Sequence, residues 1–254
     1  MTIILGAENP LSALIAGSLI IAIYVLLEGM PSFPPVSSRH KVVFIIGGFI
    51  ASTLLFGRWK QARTGINFLL LLIGLVWLDW NRLFDASMLP RFLALAVLIV
   101  LATLASMHSV RTELPKKDGF MWPIMLLCFA IGGSLISLLG AYIGFSQALG
   151  ALAAFIGAYI LIAFIAVVRQ PEKPQALLSE TTLQIMLLSI MTLLLVVGLF
   201  APGASPVALA MLGLIFAAPH FSSRLNTANK RLRPILIGLI AAIPTAASVA
   251  VAAL

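Results

Sequence analysis

The stretch PIMLLCFAIGGSLISLLGAYIG, residues 123–144, is followed after two residues by QALGALAAFIGAYILIAFIAVV, residues 147–168, and neither contains an Asp, Glu, Lys or Arg. As a helix each run is about 33 Å long at 1.5 Å per residue, enough to cross a hydrocarbon core about 30 Å thick. Both are continuously apolar, without the in–out alternation of a membrane β-strand, so a barrel is excluded. Gly133 and Ser137 stand four apart on the first run, and Ala153 and Gly157 four apart on the second. Small residues at that spacing let two helices approach closely, so the pair is expected to form a tight antiparallel hairpin. Gly132-Gly133 would serve a discontinuous carrier helix as well, but small-xxx-small packing already accounts for the glycines.

The pattern repeats outward along the chain. Further apolar runs occupy 11–29, 42–57, 65–80, 92–107, 182–201, 206–220 and 234–254. The fold class is therefore all-α, a polytopic integral membrane helical bundle of about nine spans. Eight is the alternative, because the second, third, fourth and eighth runs are nearer 24 Å than 30 Å and can be short or re-entrant. Residues 1–254 are expected to form a single transmembrane domain with no separate soluble domain. Composition agrees: hydrophobic residues make up 61% of the chain and charged residues 9%, against about 25% charged in soluble domains. That balance excludes a soluble enzyme, a disordered chain and a secreted disulfide scaffold. The single cysteine, Cys128, lies within an apolar run, which leaves no internal disulfide and no cysteine-based metal site. Residues 1–10 carry no Lys or Arg, and no small-residue cleavage pattern follows the first run, so that run is expected to remain as a span rather than leave as a signal peptide.

The net charge of +8 is distributed in short loops and not along one solvated face, so it marks topology and not a nucleic-acid partner. The loops after the second, fourth, sixth and eighth runs hold Arg58, Lys60 and Arg63; Arg111, Lys116 and Lys117; Arg169 and Lys173; and Arg224, Lys230, Arg231 and Arg233. The opposite set holds only Arg39, Lys41, Arg82 and Arg91. The asymmetry places the first set in the cytoplasm and, with nine spans, the N-terminus with it. Trp59 and Trp122 are then expected at the inner interface, Trp77 and Trp80 at the outer. A compact chain without an organelle-type leader suits a bacterial inner membrane. Arg224, Lys230, Arg231 and Arg233 could also hold anionic lipid head groups, although topology alone explains them.

Candidate binding residues gather on the side expected to face outward. Glu28 opens a segment, residues 28–41, that contains Pro31, Pro34 and Pro35 and ends in Arg39, His40 and Lys41. Three prolines stiffen it into an extended strap, with Glu28 as a carboxylate at a cavity mouth and Arg39 or His40 as attractors of an anion. An ordinary ion pair between Glu28 and a nearby base is the simpler expectation. Asp79 stands three residues before Arg82, a spacing that favours a local pair. Convergence of Glu28 and Asp79 would instead make a proton- or cation-sensitive site.

Elsewhere the apolar runs hold only weakly polar groups, Ser52, Thr53, Asn67, Ser134 and Ser137 among them, which serve as interhelical glue or as the lining of a solute path. His40, His108 and His220 fall at run ends or in loops, and no zinc-binding, G-x-S-x-G, phosphate-loop or dinucleotide motif is present. No catalytic residue, metal ligand or cofactor is assigned. The expected function is transport or permeation of a small or amphipathic solute. The alternatives are a non-catalytic membrane subunit or assembly factor, with a membrane-protein partner or as a homo-oligomer, and a lipid-modifying enzyme.

Overall fold

The computed structural model describes residues 10–82, 85–112, 119–169, 178–218 and 232–254. Among the described residues nine α-helices follow in chain order: α1 Pro10–Glu28, α2 Ser38–Phe56, α3 Lys60–Leu78, α4 Leu89–Thr112, α5 Met121–Leu139, α6 Ile143–Arg169, α7 Glu180–Phe200, α8 Pro206–Leu212 and α9 Arg233–Ala252. Short 3-10 turns, Trp80–Arg82 and Ala86–Met88, link α3 to α4, and α8 tightens into a third, Gly213–Ala217. Among the described residues there is no strand.

Seven helices, α2 to α7 and α9, are long and apolar enough to cross a membrane. The remaining two apolar runs form α1, which with 19 residues is as long as α2, α3 and α5, and a shorter helix over Pro206–Ala217. Seven of the nine expected spans are thus helices of crossing length and composition among the described residues. Over Pro206–Ala217, seven α-helical residues followed by five in a 3-10 helix reach about 20 Å, and residues 219–231 lie outside the described residues.

Helix α7 is the axis of the bundle: 94% of its most apolar window is buried, and it packs against each of α1 to α6. Around it the neighbours follow in the order α1, α2, α3, α4, α8, α5 and α6, which returns to α1, while α9 lies outside against α5 and α8. A helix apolar all round has to be buried on all faces, and α7 is the one placed so. The other helices turn apolar faces outward as well. Leu93, Val97, Val100 and Leu104 make an exposed ridge on α4, as do Ile235, Leu239 and Ile243 on α9. Large apolar side chains at helical spacing on both inner and outer faces mean that the surroundings are apolar too. The chain is a multi-pass integral membrane protein in contact with the lipid bilayer.

Several expectations change in detail. The hairpin between α5 and α6 forms, and α5 runs unbroken through Gly132-Gly133. A side chain at Gly133 would meet Leu194 of α7 and Leu149 of α6, and one at Gly132 would meet Leu212 and Thr245, so close packing on both sides accounts for the two glycines. The turn of the hairpin lies before Gly144–Gln147, which is already the first turn of α6. It is a Schellman closure, in which Tyr142 N–H donates to Ser137 O at 2.9 Å and Ala141 N–H to Leu138 O at 3.0 Å. Ala141 takes the left-handed backbone there, with φ 60°, at the position that usually holds glycine. Helix α9 continues through Pro244. Pro219, His220 and the basic residues Arg224, Lys230 and Arg231 lie outside the described residues, while Arg233 opens α9.

Candidate functional site

At the end of the bundle where α1 finishes and α2 begins, the structure brings Glu28 and Arg39 together. Arg39 Nη1 lies 3.3 Å from Glu28 Oε2, with the Glu28 side chain 6% exposed and that of Arg39 55%. The Glu28 carboxylate lies against the first turn of α6, where a Cβ at Gly144 would overlap Glu28 Oε1. Glycine there lets the anion approach the positive end of the helix dipole. Arg39 also stands over the Tyr142 ring at 5.6 Å, Tyr142 stacks on Phe145 at 4.8 Å and Tyr24 meets Phe145 edge-on at 5.9 Å. Tyr24 O–H donates to Arg39 O at 3.0 Å. The proline strap is thus anchored across α1, α2 and α6.

His40 and Asp79 have other partners. His40 Nδ1 is 2.6 Å from Ser32 Oγ on the strap. Asp79 directly follows α3, with Oδ1 3.9 Å from Arg82 Nε. Burial pushes its carboxyl above the ordinary range, against the opposing pull of Arg82 and Lys41. Glu28 and Asp79 therefore engage different arginines. Lys41 spans α2 and α3, its Nζ donating to Trp77 O at 2.8 Å.

The most polar interior lies at the opposite end, among residues that the sequence presented as loop charges or helix glue. Arg63 sits in the first turn of α3 and is 1% exposed, not a solvated topology signal. It donates through Nε to Gln184 Oε1 at 3.0 Å and through Nη1 to Gly57 O at 3.2 Å, and its Nη2 lies 3.4 Å from Glu180 Oε1. Lys60 Nζ takes the other Glu180 oxygen at 2.8 Å. Gln184 passes the connection on, Nε2 donating to Thr64 Oγ1 at 3.1 Å. Trp122, expected at an interface, is instead 4% exposed and donates to Ser109 Oγ at 2.6 Å.

These groups border a cavity of about 30 Å³ lined by Thr64, Ser106, Ser109, Trp122, Glu180 and Gln184 together with Leu183 and Leu187. A water molecule needs about 10–15 Å³ of such space. Ser106 Oγ is buried at this cavity without a hydrogen-bond partner, and Thr53 Oγ1 and Asn67 Nδ2 are likewise unpaired. Asn67 continues the Lys60, Arg63 and Thr64 face of α3 by another turn and accepts from Ser52 of α2. Beyond it Leu71, Leu75, Leu98 and Leu194 are buried and apolar, so the polar region stops partway along the bundle.

The spacing of 60, 63, 64 and 67 is a helical face, and Glu180 and Gln184 form another i,i+4 pair. That is the signal by which the site could have been found, obscured because Arg63 stands at the edge of an apolar run.

Among the described residues no group of three or more His, Cys, Asp or Glu is placed to hold a metal ion. Comparison with family models, with curated proteins and with solved structures finds no match to this chain.

Proposed function

We propose that the protein carries a small polar or amphipathic solute across a membrane, and that the cavity beside Arg63, Glu180 and Gln184 is one vestibule of its path. A single observation supports this reading: an ionised network and unpaired hydroxyls gathered inside an otherwise apolar bundle. Buried charged groups are costly even at the end of a membrane bundle, and in membrane proteins they mark solute or ion pathways. The apolar packing beyond Asn67 then corresponds to a closed gate. Glu28, Arg39 and His40 form the mouth on the opposite side, and Asp79 flanks it. By the distribution of Lys and Arg, the Arg63 end faces the cytoplasm, with the N-terminus on the same side and a bacterial inner membrane as the setting. Arg224, Lys230, Arg231 and Arg233 then face the inner leaflet, where anionic head groups are available.

Sealed proteoliposomes test this directly. Under an imposed gradient, protein-dependent flux is expected for one class among small cations, anions, neutral polar solutes and amphipathic amines or acids, and it is expected to fall in Gln184→Leu. Folded protein that moves none of these classes would overturn the reading.

A second reading, a non-catalytic membrane subunit, is favoured by the enclosure of α7 and by a cavity with room for only a few water-sized molecules. It predicts a heterologous protein that copurifies at fixed stoichiometry.

A further inference from the structure

The turn after α3 combines an incompletely paired carboxylate, an exposed guanidinium and an apolar cleft. Asp79 is 5% exposed. Its Oδ1 has only the 3.9 Å approach of Arg82, beyond hydrogen-bond distance, and its Oδ2 is buried with no partner. A carboxylate so placed lacks the donors that normally offset its desolvation. The other nearby groups are committed elsewhere: Lys41 Nζ donates to Trp77 O and stands over the Trp77 ring at 5.3 Å, while the Asp85 carboxylate accepts from Ser87 N–H at 2.9 Å. The Arg82 side chain remains 52% exposed. On the bilayer side, Leu72, Ile73, Val76, Trp77 and Trp80 line an open apolar cleft of about 470 Å³. Exposed indoles favour head-group depth, which sets Asp79 and Arg82 at that level and the Leu72–Val76 part of the cleft below it.

We propose that this turn binds a zwitterionic phospholipid whose head group ends in a primary ammonium, as in phosphatidylethanolamine. The ammonium supplies N–H donors to Asp79, Arg82 swings from its loose pairing onto the lipid phosphate, and one acyl chain lies along the cleft. The exchange replaces one distant ion pair with two charge-assisted hydrogen-bonded pairs. A choline head group carries no N–H, and a glycerol head group offers only neutral hydroxyl donors and no cation, so neither makes a charge-assisted hydrogen bond to Asp79. The site lies at the opposite end from the Arg63 cavity and does not depend on the transport reading.

The test is competitive lipid retention on the full-length protein in mild detergent, read by native mass spectrometry. Equimolar phosphatidylethanolamine, phosphatidylcholine and phosphatidylglycerol of identical chains are offered. The expected result is a preference of roughly tenfold for the ethanolamine lipid, the scale of one charge-assisted hydrogen bond. Asp79→Asn is expected to remove the preference, and Arg82→Gln to weaken all three lipids alike, since each carries the phosphate. A series of mono-, di- and trimethylated ethanolamine lipids on the unaltered protein keeps the test independent of variant folding, with retention expected to fall as N–H groups are lost. Equal retention across that series, preference for phosphatidylglycerol, or a preference unchanged in Asp79→Asn would each overturn the proposal.

Discussion

Arg63, in the first turn of α3, reaches Glu180 in the first turn of α7, its Nη2 3.4 Å from the carboxylate with the arginine side chain 1% exposed. The contact ties the axial helix to the ring around it through a guanidinium that is itself buried. Without Arg63, Glu180 keeps only Lys60, and the hydrogen bonds from Arg63 to Gln184 and Gly57 are lost as well.

Arg63→Met is therefore expected to lower stability by about 1–3 kcal/mol. Arg63→Met combined with Glu180→Gln is expected to recover much of that loss, since the half-paired carboxylate is gone and Lys60 can turn to water. Unfolding in mixed micelles measures both. Additive losses would show that the two side chains do not act as a pair.

The other end of α7 has its own arginine. Arg91 Nη1 donates to Ala201 O at 2.9 Å and Gly198 O at 3.3 Å, and Nη2 to Pro202 O at 3.1 Å, supplying the carbonyls that a helix C-terminus leaves unpaired. Arg91→Met keeps the stem and removes the donors, with an expected cost of about 1–3 kcal/mol in the same unfolding assay. Arg91→Lys should restore only part, because one ammonium cannot reproduce the guanidinium fork.

Gly144 and Glu28 should prove coupled. Gly144→Ala places a methyl where Glu28 Oε1 lies, and overpacking of this kind costs about 1–3 kcal/mol. In a Glu28→Ala background the same change should be nearly neutral. A cost that persists there would mean that α6, and not the carboxylate, resists the methyl.

How much of this was legible from sequence follows from what each residue type reveals about its partners. Apolar length and charge spacing were sufficient for the all-helical membrane bundle, and small-residue spacing was sufficient for the α5–α6 hairpin. Helix length was less legible: the 206–220 run looks uniform, yet the helix tightens to 3-10 at Gly213, which packs against Leu98 and Leu101. At the Glu28 end, the nearby Arg39 and Arg82 were readable as partners because they are close in the chain. The Arg63–Glu180 pair was not, since 117 positions separate its members and only the packing of α3 on α7 joins them. Trp122 similarly read as an interfacial ring because its partner, Ser109, belongs to a different helix.

Asp79 gives a pH signature. Its carboxyl is raised above the ordinary value chiefly by burial, so on acid-to-neutral titration the unfolded chain releases this proton first. Between the ordinary and the raised value the folded state binds more protons, and stability falls as pH rises through that window. In lipid-free micelles Asp79→Asn is therefore expected to raise Tm at neutral pH, with the difference closing below about pH 4, where the aspartate is protonated in both states. A lower Tm for the variant at neutral pH would mean that Arg82 and Lys41 outweigh burial.

Access of water to the cavity beside Glu180 separates a solute path from a sealed structural tie. Ser106→Cys, in a Cys128→Ser background that removes the native thiol, can be exposed in sealed vesicles of known orientation to a small membrane-impermeant thiosulfonate. Modification is expected from the side of the Arg63 end and protection from the side of the Glu28 end. Folded protein that resists the reagent from both sides would contradict the transport reading, and would leave the Arg63–Glu180 network a structural tie and not part of a path.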